Sequence, residues 1–244
     1  MDGIILAGGF AKRMWPLTKN KPKQLLNLAG RPMLDYVIES LSTLDLDRII
    51  VSVNSFFAPQ FQHYLDSNPS FKNVELFVEE SDSEDQKLGA LGALNLLFKN
   101  NNLKGPVFIA GGDNLSDFDL TKMVTVYNKS KADVIGLFDV ENMELAKLYG
   151  IADLEENRII DFVEKPSTPP STLAATAYWL LSESGITDFF SYINEGGDRD
   201  AMGNFLAWNV KRNSVHSVSF KGNWYDIGGL DSYSEAQKWL ERRP

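Results

Sequence analysis

The chain has 244 residues, 43% hydrophobic and 23% charged, enough for one globular domain with its own core. Its formal net charge of −9 argues against general affinity for nucleic acid or anionic membrane, so a polyanionic ligand needs a local basic site or a metal ion. With no cysteine and only two histidines, His63 and His216, disulfides, thiolate metal sites and a histidine-rich zinc site are excluded.

The N-terminal MDGIILAGG lacks the basic and long apolar regions of a signal peptide, and no run approaches 18 apolar residues. A cytoplasmic protein with no membrane or nucleic-acid partner is expected. In chain order, Ile4, Ile5 and Leu6 predict a buried strand that stops in a glycine loop. Met33, Tyr36, Val37, Leu41 and Leu44 recur at helical spacing over residues 32–44, followed by a strand at 48–53. Residues 57–65 read as a helix, 74–78 as a strand, 89–98 as a helix and 106–110 as a strand. Residues 120–127 then predict a helix and 132–138 a strand. Strands alternating with helices over residues 1–140 imply an α/β fold with a mostly parallel sheet covered by helices on both faces.

The pattern changes after Gly150. Runs at 151–154, 159–163 and 174–181 are β-like and separated by turns, so an antiparallel portion joined to the same sheet is expected. Helices at 186–193 and 201–210, a strand at 215–220 and a closing helix at 232–240 complete the chain. Residues 1–244 therefore read as one domain with two halves, 1–140 and 141–244.

The segment from Leu6 to Leu26, LAGGFAKRMWPLTKNKPKQLL, carries the strongest chemical signal. Gly8 and Gly9 let backbone N–H groups approach phosphate oxygens beyond the end of the first strand, and Lys12, Arg13, Lys19, Lys21 and Lys23 add positive charge. The spacing fits neither a P-loop nor the GxGxxG dinucleotide fingerprint. Further on, LGALGAL (residues 88–94) follows an acidic loop. Small residues there permit either the approach of a flat ligand or tight helix packing. Asp113 follows an apolar strand in GGDN, and a second carboxylate, Asp226, lies in WYDIGG. Oxygen ligands of this kind suit Mg²⁺, which takes one or two carboxylates with substrate phosphates and water.

LAGG-x3-R-M-x-PLT-x4-K-Q-LL resembles the signature of the sugar nucleotidylyltransferases, which include glucose-1-phosphate thymidylyltransferases and mannose-1-phosphate guanylyltransferases. GDN, EKP (residues 164–166) and W-x-DIG resemble further pieces of that family in the same order, so the likeness covers nearly the whole chain. It implies a Rossmann-like three-layer sandwich with a central, mostly parallel mixed sheet and a β-rich sugar-binding half. Leu6, Ala7, Gly8, Gly9 and Lys12 are then the nucleotide loop, with Arg13 at the β- and γ-phosphates and Lys23 at the reacting phosphate. Gln24, Glu84 and Gly89 fall near the base, where a carboxylate suits guanine and an amide suits thymine or uracil; with Glu84 and Gln86 both in reach, the choice stays open. Asp113 and Asp226 become the Mg²⁺ pair. Gly150, Glu164, Lys165 and Thr176 become the sugar-phosphate site.

The family commonly has Gly and Thr where this chain has Ala11 and Lys12. Ala90, Leu91 and Ala177 are further departures. The implied substrates are a nucleoside triphosphate and a hexose-1-phosphate, first glucose-1-phosphate with dTTP or UTP. The alternatives are mannose-1-phosphate with GTP, or a catalytically silent regulatory homologue. Similar enzymes are often dimers or tetramers, so a homo-oligomer is an expectation, and no β-helical extension is expected beyond the closing helix.

Overall fold

The computed structural model describes residues 1–101, 103 and 105–242, with the side chain of Glu84 outside that description. In chain order the elements begin β1 (Asp2–Leu6), β2 (Asn27–Leu28), β3 (Arg31–Pro32), α1 (Met33–Leu41), β4 (Ile49–Asn54), α2 (Ala58–Asp66) and β5 (Val74–Glu79). They continue with α3 (Ala90–Asn101), β6 (Val107–Gly111), β7 (Asn114–Ser116), α4 (Thr121–Ser130), β8 (Asp133–Asp139) and α5 (Met143–Ala146). Last come β9 (Gly150–Glu155), β10 (Arg158–Glu164), β11 (Leu173–Leu181), α6 (Glu183–Asn194), α7 (Met202–Asn209), β12 (Val215–Phe220), β13 (Trp224–Asp226) and α8 (Leu230–Glu241).

The chain forms two compact units. The first joins Met1–Lys87, Ala110–Asp117 and Asn223–Pro244; the second joins Leu88–Ile109 and Phe118–Gly222. In the first, β4 lies between β1 and β5, both parallel to it, with Ile4 opposite Ile50 and Val51 opposite Leu76. All six residues of β4 are buried, as expected for a parallel strand covered on both faces. On α1, Met33, Leu34, Val37, Ile38 and Leu41 form the buried stripe of an amphipathic helix. The helix stops at Leu41, short of the expected Leu44, and Ser42 closes its end, with N–H and hydroxyl both donating to the carbonyl of Ile38. A short antiparallel ribbon, β7 with β13, places Asn114 opposite Asp226. It was not legible in the sequence.

In the second unit β8 pairs with β11 antiparallel and with β12 in parallel, and β10 joins β12 to β9 through antiparallel pairs. The antiparallel character expected after Gly150 is present, with β12 the parallel member. The unit's core is aromatic: Phe98 and Phe205 both meet Phe189 edge-on, at 5.2 and 5.6 Å between centroids, while Phe118 stacks on Phe220 at 4.4 Å. Asp133 at the start of β8 is buried and accepts from the Ser182 N–H at 2.8 Å, the Ser182 hydroxyl at 2.7 Å and the Asn209 amide at 2.9 Å. Ser182 in turn caps α6 by accepting from the N–H of Gly185.

Candidate active site

The glycine loop leaves the end of β1 between two anchors. The N–H of Ala7 donates to the Ser52 carbonyl, and the Asn54 amide donates to the Gly8 carbonyl at 2.9 Å. Gly8 lies against Glu79: a Cβ built there would stand 2.7 and 2.8 Å from the two carboxylate oxygens. Gly9 opens onto free space. Ala11 adopts φ 49° and ψ 44°, the left-handed region, and its carbonyl is held by the Thr18 hydroxyl at 2.8 Å. That conformation explains why glycine suits this position, since a Cβ there crowds the backbone. Buried Met14 pins the loop from below, leaving Lys12, Arg13, Lys19 and Lys21 on the surface.

Lys23 is the exception among the five cations, buried to 7% exposure. Its ammonium donates to Asp113 Oδ2 at 2.5 Å and to the carbonyl of Ile227 at 2.6 Å. The Asn114 amide nitrogen bridges Asp113 Oδ1 at 3.0 Å and Asp226 Oδ1 at 3.2 Å, while its oxygen accepts from the Trp224 indole at 2.8 Å. The β7–β13 ribbon and a bond from the Ile227 N–H to the Asp113 carbonyl bring these segments together. Arg13 lies over Gly228, with Nη2 3.1 Å from where a Cβ would stand.

The two carboxylates titrate in opposite directions. Burial and then the charge of Asp113 push Asp226 up to about 6, against the pull of Lys23 and Arg13. Burial also works against ionisation of Asp113, but the ammonium of Lys23 outweighs it and holds that carboxyl below the usual range. One buried lysine thus serves two neighbouring carboxylates, and a further cation would relieve the remaining repulsion. No group of three or more His, Cys, Asp or Glu gathers as a metal cage among the described residues. Two aspartates fit Mg²⁺, which draws its other ligands from phosphates and water.

In the second unit, Gly150 pairs with Glu164 across β9 and β10, and the Glu164 carboxylate packs against both Gly150 and Gly203. Burial pushes its carboxyl up, and Lys165 pulls it down from 3.8 Å. Lys165 has φ 46° and a side chain 65% exposed. Thr176 is not presented on that surface: it is buried, and its hydroxyl donates to the Gly136 carbonyl at 2.8 Å. Gly89, with φ 71°, packs on the backbone of Arg199 and Asp200, whose carbonyls accept the N–H groups of Leu91 and Ala90. The close approach it permits is therefore taken by the chain itself. The side chain of Glu84 lies outside the described residues, and Gln86 Oε1 accepts from the Asp82 N–H at 3.0 Å. Gln24 is buried beside Gly112, with its Oε1 lacking a hydrogen-bond partner.

Sequence reasoning missed Asn54, Asn114 and Glu79. Asn54 and Glu79 are the polar last residues of two apolar strands, where ligands of α/β sheets collect, and that is the one signal that could have found them.

This glycine loop, buried lysine and aspartate pair occur in a chain that belongs to the nucleotidyl transferase family, whose description matches residues 2–243. Within it the relatives are sugar-1-phosphate nucleotidyltransferases, and the fold is the mixed α/β fold of nucleotide-diphospho-sugar transferases. A provisionally named mannose-1-phosphate guanyltransferase of Sulfolobus acidocaldarius is 31% identical over 230 residues, covering 93% of this chain and 60% of its own length. A UTP–glucose-1-phosphate uridylyltransferase of Synechocystis sp. is 26% identical, covering 97% of this chain and 62% of its own. The chain thus spans about three fifths of these curated relatives. A crystal structure of a provisionally named glucose-1-phosphate thymidylyltransferase from Bacillus anthracis superposes with TM-score 0.86 at 25% identity, covering 100% of this chain and 96% of that one. Among the described residues no helix is long and apolar enough to cross a membrane.

Proposed function

We propose that the chain transfers a nucleotidyl group from a nucleoside triphosphate to a hexose-1-phosphate. A phosphate oxygen of the sugar attacks the α-phosphorus, a new P–O bond forms, and the bond to the β-phosphate breaks. Pyrophosphate leaves with the electron pair. The attacking oxygen is already anionic near neutral pH, so no Ser, Cys or His base is required, in keeping with a chain that has no cysteine and two histidines. What the reaction needs is positive charge and positioning.

The observation that carries this reading is the cluster of Lys23, Asp113, Asn114 and Asp226 in the unit that also holds the glycine loop. Asp113 and Asp226 would hold Mg²⁺, which supplies charge to the triphosphate when bound. Leu6, Ala7, Gly8, Gly9 and Lys12 line the nucleotide, Arg13 neutralises its outer phosphates, and Lys23 orients Asp113. In the second unit Glu164 and Lys165, beside Gly150, are the proposed partners of the sugar phosphate. The reading includes a cytoplasmic homo-oligomer, for which light scattering on the purified protein is the check.

For the substrates, the KQLL loop and the likeness to a thymidylyltransferase support glucose-1-phosphate with dTTP or UTP. The name of the Sulfolobus relative supports mannose-1-phosphate with GTP as the second pair. Pyrophosphate release is to be measured with Mg²⁺ over five triphosphates against several hexose-1-phosphates. Release that requires both substrates is the expected result. Nucleotide binding with no release from any pair would mean a regulatory homologue.

A further inference from the structure

β5 is the last strand of its sheet: β4 pairs with it on one side, and among the described residues no strand lies beyond it on the other. A bare strand edge is a row of unmet backbone donors and acceptors, which proteins usually blunt with lysine, proline or a bulge. The sequence of β5, VELFVE, has neither residue, and its register against β4 runs unbroken from Val74 to Glu79. Its exposed charge, Glu75, is tied back to Arg48 at 3.1 Å. Val78 is 45% exposed, and Val74 and Leu76 are partly so. Which backbone groups face outward follows from the two ends of the ladder. The Asn73 carbonyl accepts from the Ile49 N–H, and the Glu79 carbonyl from the Ser55 N–H. Bonds in a parallel pair go to every second residue, so 73, 75, 77 and 79 face β4. Val74, Leu76 and Val78 therefore turn outward, the Val74 N–H being the one group already engaged, with the Phe71 carbonyl at 3.2 Å.

We propose that this edge pairs with the same edge of a second copy, antiparallel and centred on Leu76; this rests on the reading of the chain as a homo-oligomer, not on the reaction assigned to it. A two-fold interface must be complementary to itself. About Leu76 it is: Leu76 lies opposite Leu76, Val74 opposite Val78, and exposed Lys72, just before the strand, opposite exposed Glu80, just after it. The outward groups then meet. The two Leu76 residues exchange both of their backbone bonds, and the N–H of each Val78 reaches the Val74 carbonyl of the other copy. Neighbouring registers are worse. Centring on Glu75 sets two glutamates face to face, and centring on Phe77 sets Glu75 against Glu79. A centre between two residues opposes outward groups to inward ones.

The chain has no cysteine, so a single introduced one can form a disulfide only with its counterpart in another copy. In the proposed register the two Leu76 Cα atoms stand about 5.5 Å apart, within disulfide reach. The full chain, Leu76→Cys and Val74→Cys are compared by light scattering and, after oxidation with copper phenanthroline, by non-reducing electrophoresis. The unaltered chain is expected to be a dimer or a multiple of one. Leu76→Cys should cross-link, and Val74→Cys, which faces Val78 instead of itself, should not. A charge exchange gives a second measurement on exposed side chains that the fold does not depend on. Lys72→Glu and Glu80→Lys should each weaken association by about tenfold, and the double variant should restore it. An oligomer in which Leu76→Cys stays uncrosslinked, or in which the charge exchange changes nothing, overturns this interface and leaves the homo-oligomer standing on another face. A monomeric unaltered chain overturns both and leaves the edge to a strand of some other protein. Pyrophosphate release enters none of these readings.

Discussion

Ala11 is held in the left-handed region, where an L-residue with a Cβ costs about 1–2 kcal/mol relative to its usual conformations. Glycine removes that strain but adds freedom to the unfolded chain. Ala11→Gly should therefore stabilise the protein by about 0.5–1 kcal/mol in urea or thermal melts. A loss of stability would mean that the loop, not the residue, sets this conformation. At the acidic pair, Asp113→Asn and Asp226→Asn keep size and remove charge. Each should lower pyrophosphate release by about a hundredfold or more while the circular dichroism melt stays cooperative. Full turnover in either variant would take that residue out of the proposed Mg²⁺ pair. That Lys23, Asp113 and Asp226 are candidates was legible because each lies in a compact motif with distinctive neighbours, and the structure brings the three together. Glu79 was not: an acid after an apolar strand reads the same in sequence whether it is a solvated turn or a buried acceptor. Thr176 shows the converse, since a hydroxyl in a strand gives no sign in sequence of whether it faces a ligand or the carbonyl of the next strand.

Among the elements, the strands that sequence reasoning placed well are those buried on both faces. Ile49, Ile50, Val51 and Val53 in β4, like Val107, Phe108 and Ile109 in β6, make continuous apolar runs that leave few alternatives. The ribbon of β7 and β13 escaped notice because three-residue strands carry no period, and their partners are far apart in the chain. The four-residue α5 escaped for the same reason, although Asn142 caps it by accepting from the N–H groups of Glu144 and Leu145. The junction of β8 and α6 depends on one side chain. Asp133→Ala would leave the Ser182 N–H, the Ser182 hydroxyl and the Asn209 amide without their acceptor. Destabilisation of about 3 kcal/mol is expected from chemical denaturation, with the second unit losing structure first by hydrogen exchange. A change under about 1 kcal/mol would show that water or Ser184 replaces the carboxylate.

Across the molecule, the acidic cluster draws on three separate stretches of the first unit: Lys23 from the opening segment, Asp113 from Ala110–Asp117 and Asp226 from the closing one. It exists only when that unit is folded. Chelating divalent ions should abolish pyrophosphate release, and added Mg²⁺ should restore it without refolding; activity that survives chelation would remove the metal from the mechanism. The same organisation has a consequence for how such a chain can change. The first unit releases the backbone after Asp117 and recovers it at Asn223, and these two residues are joined to each other: the Asn223 N–H and amide donate to the two carboxylate oxygens of Asp117 at 2.8 and 2.7 Å, and the Asp117 N–H donates back to the Asn223 carbonyl. For the first unit, everything from 118 to 222 is topologically a single loop tied at its neck. Insertions in the surface turns of that stretch are expected to leave the neck, and the aspartates on either side of it, in their places.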